Sequence, residues 1–315
     1  MADDAGAVAA LDCGTNSTRL LIVDGPGAVV AREMRITRLG EGVDATHKLS
    51  ADAIGRTVGV LSEYRRLMDG AGVARARLVA TSAARDAVNA EEFFSAAEEA
   101  TGVRPELLSG LEEGRLSFTG AMASLPAAER GSEPVLVVDI GGGSTELVVG
   151  VPPAGPGDVP EVAAISLDIG CVRLTERFFH HDPPLGDELA ETRAFVGAEV
   201  ERARAGLPPV PEGGILIGLA GTVSTVAALE GHLSHYDRDR IHHAVLSRDQ
   251  VDGWLEKLAG EDRRARMSRA GMVEGRADVI VGGVLVLAEV MAGFERSRCL
   301  VSEDDILDGI VASLR

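Results

Sequence analysis

Two short turns rich in glycine and hydroxyl residues carry the clearest chemical signal in the sequence. Residues 12–18 read DCGTNST and residues 139–145 read DIGGGST, so both follow the pattern Asp-x-Gly-x-x-Ser-Thr. Glycines let backbone N–H groups approach an anion without a clash from Cβ, and the hydroxyls add further donors. The leading aspartate cannot bind phosphate directly, but it can hold Mg²⁺ or its water ligands. Two matching copies predict a phosphate chain held from both sides, with metal between.

A third glycine turn, GLAGTVST at residues 218–225, leaves an apolar strand and enters a helix. The N–H groups at the start of that helix could meet an anion, although the turn also fits an ordinary strand-to-helix connection. The sequence has neither G-x-x-x-x-G-K-[ST] nor G-x-G-x-x-G. It therefore lacks the P-loop signature and the dinucleotide-binding fingerprint.

Two adjacent acids, Glu112 and Glu113, lie in the segment LLSGLEEGRLSFTGA at residues 107–121. Neighbours on a helix point about 100° apart, so only one of them is expected to face a given cleft. A carboxylate in that position could orient or deprotonate a water molecule. The alternative interpretation is a pair of solvated residues on a helix face.

The histidine pairs 180–181 and 242–243 lack the companion residues of a metal site, and we interpret them as surface or turn residues. Cys13 lies inside the first turn, but no partner base can be named for it. We interpret it as a small residue at a strand end rather than a nucleophile.

The elements that position these residues begin with an internal repeat. Residues 8–23 read VAALDCGTNSTRLLIV and residues 135–149 read VLVVDIGGGSTELVV. Each copy predicts two β-strands joined by a tight turn. The copies are too far apart for a solenoid repeat, so we expect two similar domains that open with the same hairpin.

The remaining pattern alternates between strands and helices. We expect helices that begin at Ser50 and, through a capping box, at Asn89, and further helices over 112–124, 187–204 and 278–294. A strand is expected over 76–83, a strand, turn and helix over 215–229, an interdomain link over 126–134 and a loop over 151–160. This pattern indicates an α/β fold with a cleft between two halves.

Composition and charge restrict the function classes. The chain has 315 residues, of which 45% are hydrophobic and 25% charged, as expected for two globular domains. Its longest apolar stretch contains Glu289 and is too short for a membrane span, and its first residues do not resemble a secretory signal. Three scattered cysteines without a C-x-x-C pair indicate a reducing, cytoplasmic compartment.

The net charge of −18 argues against nucleic acid or an anionic membrane as a partner. It does not exclude a phosphate-rich ligand, which needs only a local basic groove. All but two of the 31 basic residues are arginines, which suit bidentate phosphate recognition, although genomic base composition also explains their number.

Seven sequence blocks resemble the successive signatures of the exopolyphosphatase / guanosine pentaphosphate phosphohydrolase family. The resemblance covers the chain from about residue 8 to residue 312. The blocks are DCGTNSTRLLIVD, ATSAARDAVN, SGLEEGRLSFTGA, VVDIGGGSTELVVG, LDIGCVRLTERF, GLAGTVSTVAAL and GRADVIVGGVLVL.

This family belongs to the actin-like superfamily, together with acetate and sugar kinases. The resemblance therefore implies an α/β fold of two ribonuclease H-like domains with the active site in the cleft between them. We expect an N-terminal domain of residues 1–126 plus 303–315 and a C-terminal domain of residues 127–302. The amphipathic tail helix is expected to pack back onto the first domain. Longer members carry a further C-terminal helical region, and this chain resembles the short form.

The resemblance also implies roles for individual residues. Glu113 is the expected catalytic base, and Glu112 is the alternative if the pair is offset by one. Asp139 and Glu146 are the expected metal-binding and water-orienting acids, assisted by Asp12. Arg173 and Arg276 match family arginines that are either structural or chain-binding. The phosphate-binding residues are expected to be Asn16, Ser17, Arg19, Arg85, Gly142, Gly143, Ser144, Thr145 and Arg276.

The function implied is that of a cytoplasmic, Mg²⁺-dependent exopolyphosphatase, which removes terminal orthophosphate from inorganic polyphosphate by attack of water. A homodimer is a further expectation from the family. The nearest alternative is a guanosine pentaphosphate 5′-phosphohydrolase with the same residues. More distant alternatives are a small-molecule kinase with an adenosine pocket at Gly218–Thr222, and a non-catalytic sensor of polyphosphate or alarmone.

Overall fold

The computed structural model describes residues 6–126, 133–153, 160–212 and 214–315. The contacts divide the chain into unit 1, Met1–Gly120 with Ile306–Arg315, and unit 2, Ala121–Asp305. These limits lie a few residues from the boundaries expected from the sequence, which remain predictions for independently folding domains. The expected link at 126–134 and the expected loop at 151–160 lie mostly outside the described residues.

Unit 1 is built on a five-stranded sheet with the strand order β3-β2-β1-β4-β5. Every residue of β1 is buried, which explains why this strand reads as an unbroken apolar run before Asp12. It pairs antiparallel with β2 and parallel with β4. The strands are β1 (Val8–Cys13), β2 (Ser17–Val23), β3 (Val29–Ile36), β4 (Arg75–Ala80) and β5 (Glu106–Leu107).

The helices of unit 1 follow the predicted order, with two corrections. They are α1 (Val43–Thr46), α2 (Ala51–Gly70), α3 (Ser82–Asp86), α4 (Ala90–Thr101), α5 (Gly110–Ala123, which continues into unit 2) and α13 (Ile306–Leu314). Ser50 caps α2 through a bond from the N–H of Ala53, as predicted. The strand predicted over 76–83 is wrong at its end: it stops at Ala80, because the N–H of Arg85 bonds the carbonyl of Thr81 and starts α3.

The second correction concerns the start of α4. The helix begins after Asn89 as predicted, but the expected capping box is absent there. The amide of Asn89 instead accepts the N–H of Leu49 and donates to the carbonyl of Leu49. The side chain therefore ties two loops together, a use that local sequence does not reveal.

The C-terminal helix α13 packs on the sheet of unit 1. Its buried residues join β1, β2 and β4 in one apolar cluster, as the helical spacing of the tail predicts. That cluster contains Val8, Ala10, Leu21, Val23, Val79, Leu108, Ile306, Leu307, Ile310 and Val311.

Unit 2 is built on a six-stranded sheet with the order β10-β11-β9-β6-β7-β8. The strand β6 occupies the place that β1 has in unit 1, because it too pairs antiparallel with the following strand and parallel with a later one. The strands are β6 (Val135–Ile140), β7 (Thr145–Gly150), β8 (Val162–Leu167), β9 (Leu216–Leu219), β10 (Val245–Ser247) and β11 (Arg298–Val301).

The helices of unit 2 enclose a large apolar core. The almost wholly buried helix α12 packs against α6, α7, α8 and α10. These helices are α6 (Cys171–Phe178), α7 (Gly186–Gly206), α8 (Ala220–Glu230), α9 (Arg238–Ile241), α10 (Arg248–Ala259), α11 (Arg263–Met267) and α12 (Ile280–Gly293). The helices predicted over 187–204 and 278–294 are thus confirmed to within two residues.

One histidine of unit 2 joins two distant parts of the chain. Nδ1 of His242 accepts the N–H of Glu303 at 3.0 Å, and its Nε2 lies 3.1 Å from the hydroxyl of Ser124. Because Nδ1 is the acceptor, the ring proton is placed on Nε2, which donates to Ser124. The ring also stacks on His243, with ring centroids 3.6 Å apart.

None of the helices in the described parts of the chain is both long enough and apolar enough to cross a membrane.

The contact between α13 and α5 is directly testable. Gly309→Ala is expected to lower the free energy of unfolding by about 1–3 kcal/mol, because the added Cβ would stand 2.0 Å from the carbonyl oxygen of Leu116. Gly55→Ala in α2 is the matched control, since nothing lies within 4 Å of its added carbon. Alanine should stabilise that helix by about 0.5–1 kcal/mol. Equilibrium urea unfolding measures both values, and equal changes in the two variants would contradict the close packing of α13.

Candidate active site

Both predicted hairpins are present, and each places its leading aspartate opposite the residue that follows its Ser-Thr pair. Asp12 of β1 stands opposite Arg19 of β2, and Asp139 of β6 stands opposite Glu146 of β7. Residues directly opposite in an antiparallel pair project from the same face of the sheet. The two turns therefore have the same strand pairing but differ in charge. The first presents an aspartate and an arginine, and the second presents two acids.

In unit 1 the aspartate and the arginine form an ion pair. Oδ2 of Asp12 accepts from Nε of Arg19 at 3.0 Å and from Nη2 at 2.7 Å. The aspartate side chain is almost fully buried, with 4% of its surface exposed. The residue expected to assist a metal and the residue expected to contact phosphate thus form an ion pair with one another.

The first turn is braced by the segment after β3. The carbonyl of Asn16 accepts the N–H groups of Thr37 and Arg38, and the carbonyl of Thr15 accepts the N–H of Gly40. A Cβ on Gly40 would stand 2.4 Å from the methyl group of Thr15, so only glycine fits there. The predicted ligands Asn16 and Ser17 are therefore held on a fixed backbone.

The second turn is braced in the same way by the start of α6. The carbonyl of Gly141 accepts the N–H of Cys171 at 3.0 Å, and that of Gly142 accepts the N–H of Val172 at 2.8 Å. Nε of Arg173 donates to the carbonyl of Gly143 at 2.7 Å, which gives this arginine a structural contact.

Bracing turns the carbonyl groups of the second turn toward α6. Within the described chain, the N–H groups of Gly142, Gly143 and Ser144 enter no backbone hydrogen bond. Successive N–H groups of this kind form an anion-binding concavity. Sequence reasoning missed Gly170, whose added Cβ would stand 2.2 Å from the carbonyl oxygen of Gly142.

The acidic pair of the second turn is buried. Asp139 is 7% exposed and Glu146 is 1% exposed, and the hydroxyl of Ser166 donates to Oε1 of Glu146 at 2.7 Å. Like charges that face each other across a strand pair destabilise the sheet unless something compensates them. The hydroxyl of the neighbouring Thr145 donates to the carbonyl of Ile169. Its proton is therefore already used in a hydrogen bond within the protein.

The chemistry of Asp139 and Glu146 fits Mg²⁺. This cation prefers oxygen ligands, and it is usually bound by one or two carboxylates while waters and substrate phosphates complete its shell. No group of three or more histidine, cysteine or acidic side chains that could hold a metal occurs among the described residues. The pair therefore suits a cation shared with a phosphate ligand better than a cation enclosed by protein alone.

The structure separates the two glutamates at the start of α5. Glu112 is exposed and belongs to a capping box, because its carboxylate accepts the N–H of Ser109 at 3.0 Å and the hydroxyl of Ser109 at 2.8 Å. These bonds, from the backbone first and the hydroxyl second, lower the pKa of Glu112. Glu113 points elsewhere and is buried, with 9% of its surface exposed.

Glu113 is held by Arg85, the last basic residue of α3. Nη1 of Arg85 donates to Oε2 of Glu113 at 3.0 Å and to the carbonyl of Leu108 at 2.9 Å. Gly40 lies close to both the first turn and α3, since its added Cβ would also stand 3.0 Å from Cβ of Ala83. Unit 1 thus brings the predicted base and a predicted phosphate ligand together, near the first turn.

The third glycine turn is occupied by side chains. The guanidinium of Arg276 lies on Gly221 at the start of α8, where an added Cβ would stand 1.9 Å from its Cζ. The hydroxyls of Ser224 and Tyr236 both donate to the carboxylate of Glu303. Arg276 is the positive group at this turn, and its part in phosphate binding stays a prediction.

The cysteine and histidine interpretations agree with the structure. Burial raises the pKa of the Cys13 thiol far above its usual value, which disfavours the thiolate that nucleophilic attack needs. His242 and His243 lie in a turn after α9, as predicted.

Comparison with known protein families and with curated proteins finds relatives that match nearly the whole chain. The model of the Ppx/GppA phosphatase family matches residues 21–314. Exopolyphosphatase 2 of Mycobacterium tuberculosis is 42% identical over 325 aligned residues, which cover 98% of this chain and 98% of that protein.

Two solved structures share the fold over the whole length. The Ppx/GppA family member of Aquifex aeolicus has a TM-score of 0.79 and 35% identity, with 98% of this chain and 97% of that chain covered. An exopolyphosphatase from Cytophaga hutchinsonii has a TM-score of 0.86 and 25% identity, with 98% and 97% covered.

Proposed function

The chain belongs to the Ppx/GppA phosphatase family, and we propose that it is an exopolyphosphatase that releases terminal orthophosphate from inorganic polyphosphate. The observation that carries the choice of substrate is the identity of 42% to exopolyphosphatase 2 of Mycobacterium tuberculosis over 98% of both chains. A phosphatase transfers the phosphoryl group to water, so the site must position a water molecule and neutralise the charge of the transferred group.

In this proposal the second turn binds the terminal phosphate. The N–H groups of Gly142, Gly143 and Ser144 would donate to its oxygens, because the carbonyl groups of the turn face α6. Asp139 and Glu146 would hold Mg²⁺, and Ser166 fixes the orientation of Glu146. Bound Mg²⁺ would withdraw charge from the phosphate oxygens during transfer.

Glu113 is proposed to accept the proton of the attacking water. Its burial keeps bulk water away from the carboxylate, and Arg85 fixes one of its two oxygens. Asn16 and Ser17 would contact phosphate from the first turn, while Arg19 is engaged with Asp12 and would have to release it to do so.

The alternatives receive less support. Guanosine pentaphosphate hydrolysis would use the same residues, but two of the three relatives that we compare, those from Mycobacterium tuberculosis and Cytophaga hutchinsonii, are named exopolyphosphatases. A kinase would need a nucleotide pocket, and Arg276 already covers Gly221 in the turn that we considered for one. A non-catalytic sensor would not need a buried carboxylate such as Glu113.

We also propose a cytoplasmic location and a homodimeric assembly. The location is supported by three free, buried cysteines, which a reducing compartment preserves. The homodimer rests on the family resemblance, and sedimentation velocity of the purified chain would measure it.

The proposed activity predicts a clear order of substrates. With Mg²⁺ and no acceptor other than water, phosphate release should be fastest with long-chain polyphosphate and slower with guanosine pentaphosphate and ATP. Colorimetric phosphate release at equal concentrations of terminal phosphate measures this order. Faster release from guanosine pentaphosphate would replace the proposal by its nearest alternative, and polyphosphate binding without release would favour the sensor.

Glu113→Gln should lose turnover by about 10²- to 10⁴-fold, the usual cost of removing a positioned general base. Polyphosphate binding and thermal stability should change little, because the amide has the same shape. Glu112→Gln is the matched control and should stay active, since glutamine also serves in a capping box. Inactivity of Glu112→Gln alone would move the role to Glu112, and near-normal turnover in both variants would refute the assignment.

Asp139→Asn should raise the Mg²⁺ concentration needed for half-maximal phosphate release. The substitution removes a charge from the buried pair while the residue keeps its place opposite Glu146. Thermal unfolding without metal should show equal or higher stability than the parent, because the repulsion between the two acids is reduced. An unchanged Mg²⁺ requirement combined with a large loss of stability would show that Asp139 is only a turn residue.

A further inference from the structure

An open groove in unit 2 lies between α7, α10 and α12, and none of the site residues named above lines it. Its volume is about 550 Å³, which is within the range of small-molecule sites. More than half of its lining residues are apolar: Leu189, Leu255, Ala259, Leu285, Ala288 and Ala292.

The groove contains one charged residue that departs from the apolar pattern of its helix. Glu289 is the only charged residue of α12, a helix whose other residues are all apolar or glycine. Its side chain is 15% exposed, and Oε1 lies 3.4 Å from Nη1 of Arg193, which is itself half exposed. This distance is longer than a charged hydrogen bond, so the buried carboxylate is only weakly compensated by its partner.

The charges around the groove indicate the sign of a ligand. Three carboxylates, of Asp252, Glu256 and Glu289, line it together with the guanidinium groups of Arg193 and Arg248. Arg248 lies 3.7 Å from Asp252 and Arg193 lies 3.4 Å from Glu289, so the excess negative charge is that of Glu256. An anion would face the majority charge. A divalent metal is also a poor fit, because within the described chain no three acidic, histidine or cysteine side chains come together to hold one.

We propose that this groove binds a linear aliphatic diamine. One ammonium group would contact Glu289, and the methylene chain would lie on Leu189, Leu255 and Leu285. The second ammonium group would reach the exposed carboxylate of Glu256 on α10. The groove thus combines an apolar wall with acids at two depths, which is the arrangement that a flexible chain with two cationic ends requires.

The titration of Glu289 gives the proposal a pH signature. Burial raises the pKa of this carboxyl, while Arg193 and Arg248 act to lower it and Asp252 acts to raise it; Glu256 is the remaining acid in the groove. A cation binds the ionised carboxylate, so affinity should increase as the pH rises through that raised pKa and decrease below it. Binding at a pH near that pKa should release a proton to the buffer.

The test is isothermal titration of the full chain with 1,5-diaminopentane, without polyphosphate so that the amine has no anionic substrate to bind. The parent should bind the diamine and not the neutral 1,5-pentanediol. Glu289→Gln should weaken binding about tenfold or more, the effect of losing one charged hydrogen bond. It should also remove the pH dependence.

Two further variants distinguish binding in the groove from general attraction of the diamine to an acidic surface. Ala292→Leu fills the groove without changing charge and should weaken binding similarly, which keeps the test decisive if Glu289→Gln does not fold. Glu201→Gln is the matched control: this glutamate of α7 also forms a loose pair with an arginine, at 3.7 Å, but lies exposed outside the groove. It should bind as the parent does.

Equal affinity in the parent, Glu289→Gln and Ala292→Leu would overturn the proposal and leave only adventitious attraction. No heat of binding by the parent at millimolar diamine would overturn it as well. Tighter binding of Nα-acetyl-lysine methylamide than of the diamine would also overturn it, because the groove would then favour a lysine side chain of another protein.

Discussion

The candidate site depends on how a buried carboxylate at the end of a central strand is compensated. Both units place an aspartate there, and the residue directly across the hairpin determines how the charge of that aspartate is balanced. Arg19 neutralises Asp12 within unit 1, while Glu146 adds a second negative charge beside Asp139 in unit 2. Ser166 donates a hydrogen bond to Glu146, and a bound cation is the compensation that we propose for this pair of acids. One cross-strand position therefore separates a turn that contains an ion pair from a turn that presents two acids.

The sequence predicted the parts of this arrangement that local pattern encodes. The repeated hairpin, its buried strands and the approximate ends of α2, α7 and α12 all follow from apolar runs, caps and glycines close in sequence. The strand over 76–83 was too long because ATSAARD carries no breaker, and the switch to α3 comes from one bond between Arg85 and Thr81. The capping box predicted at Asn89 is wrong because the side-chain amide of Asn89 bonds the backbone of Leu49, which lies 40 positions away.

What the sequence could not predict is the support around the site. Gly40 and Gly170 have to be glycine because of neighbours distant in sequence. The internal repeat includes neither of them, and the block LDIGCVRLTERF contains Gly170 without showing which of its residues the packing requires. The choice between Glu112 and Glu113 likewise needed contacts. A capping-box pattern beginning at Ser109 was available in the sequence and would have identified Glu112 as the helix-capping residue. The bond between Arg85 and Glu113 had no such signal, since the two residues lie on different helices.

The bridging position of His242 has a mechanical consequence. Ser124 follows the point where the chain first enters unit 2, and Glu303 precedes the point where it leaves. Both residues bond the same imidazole, which therefore links the first and the last residues of unit 2. A substitution of His242 would therefore remove hydrogen bonds at both ends of the segment that builds unit 2.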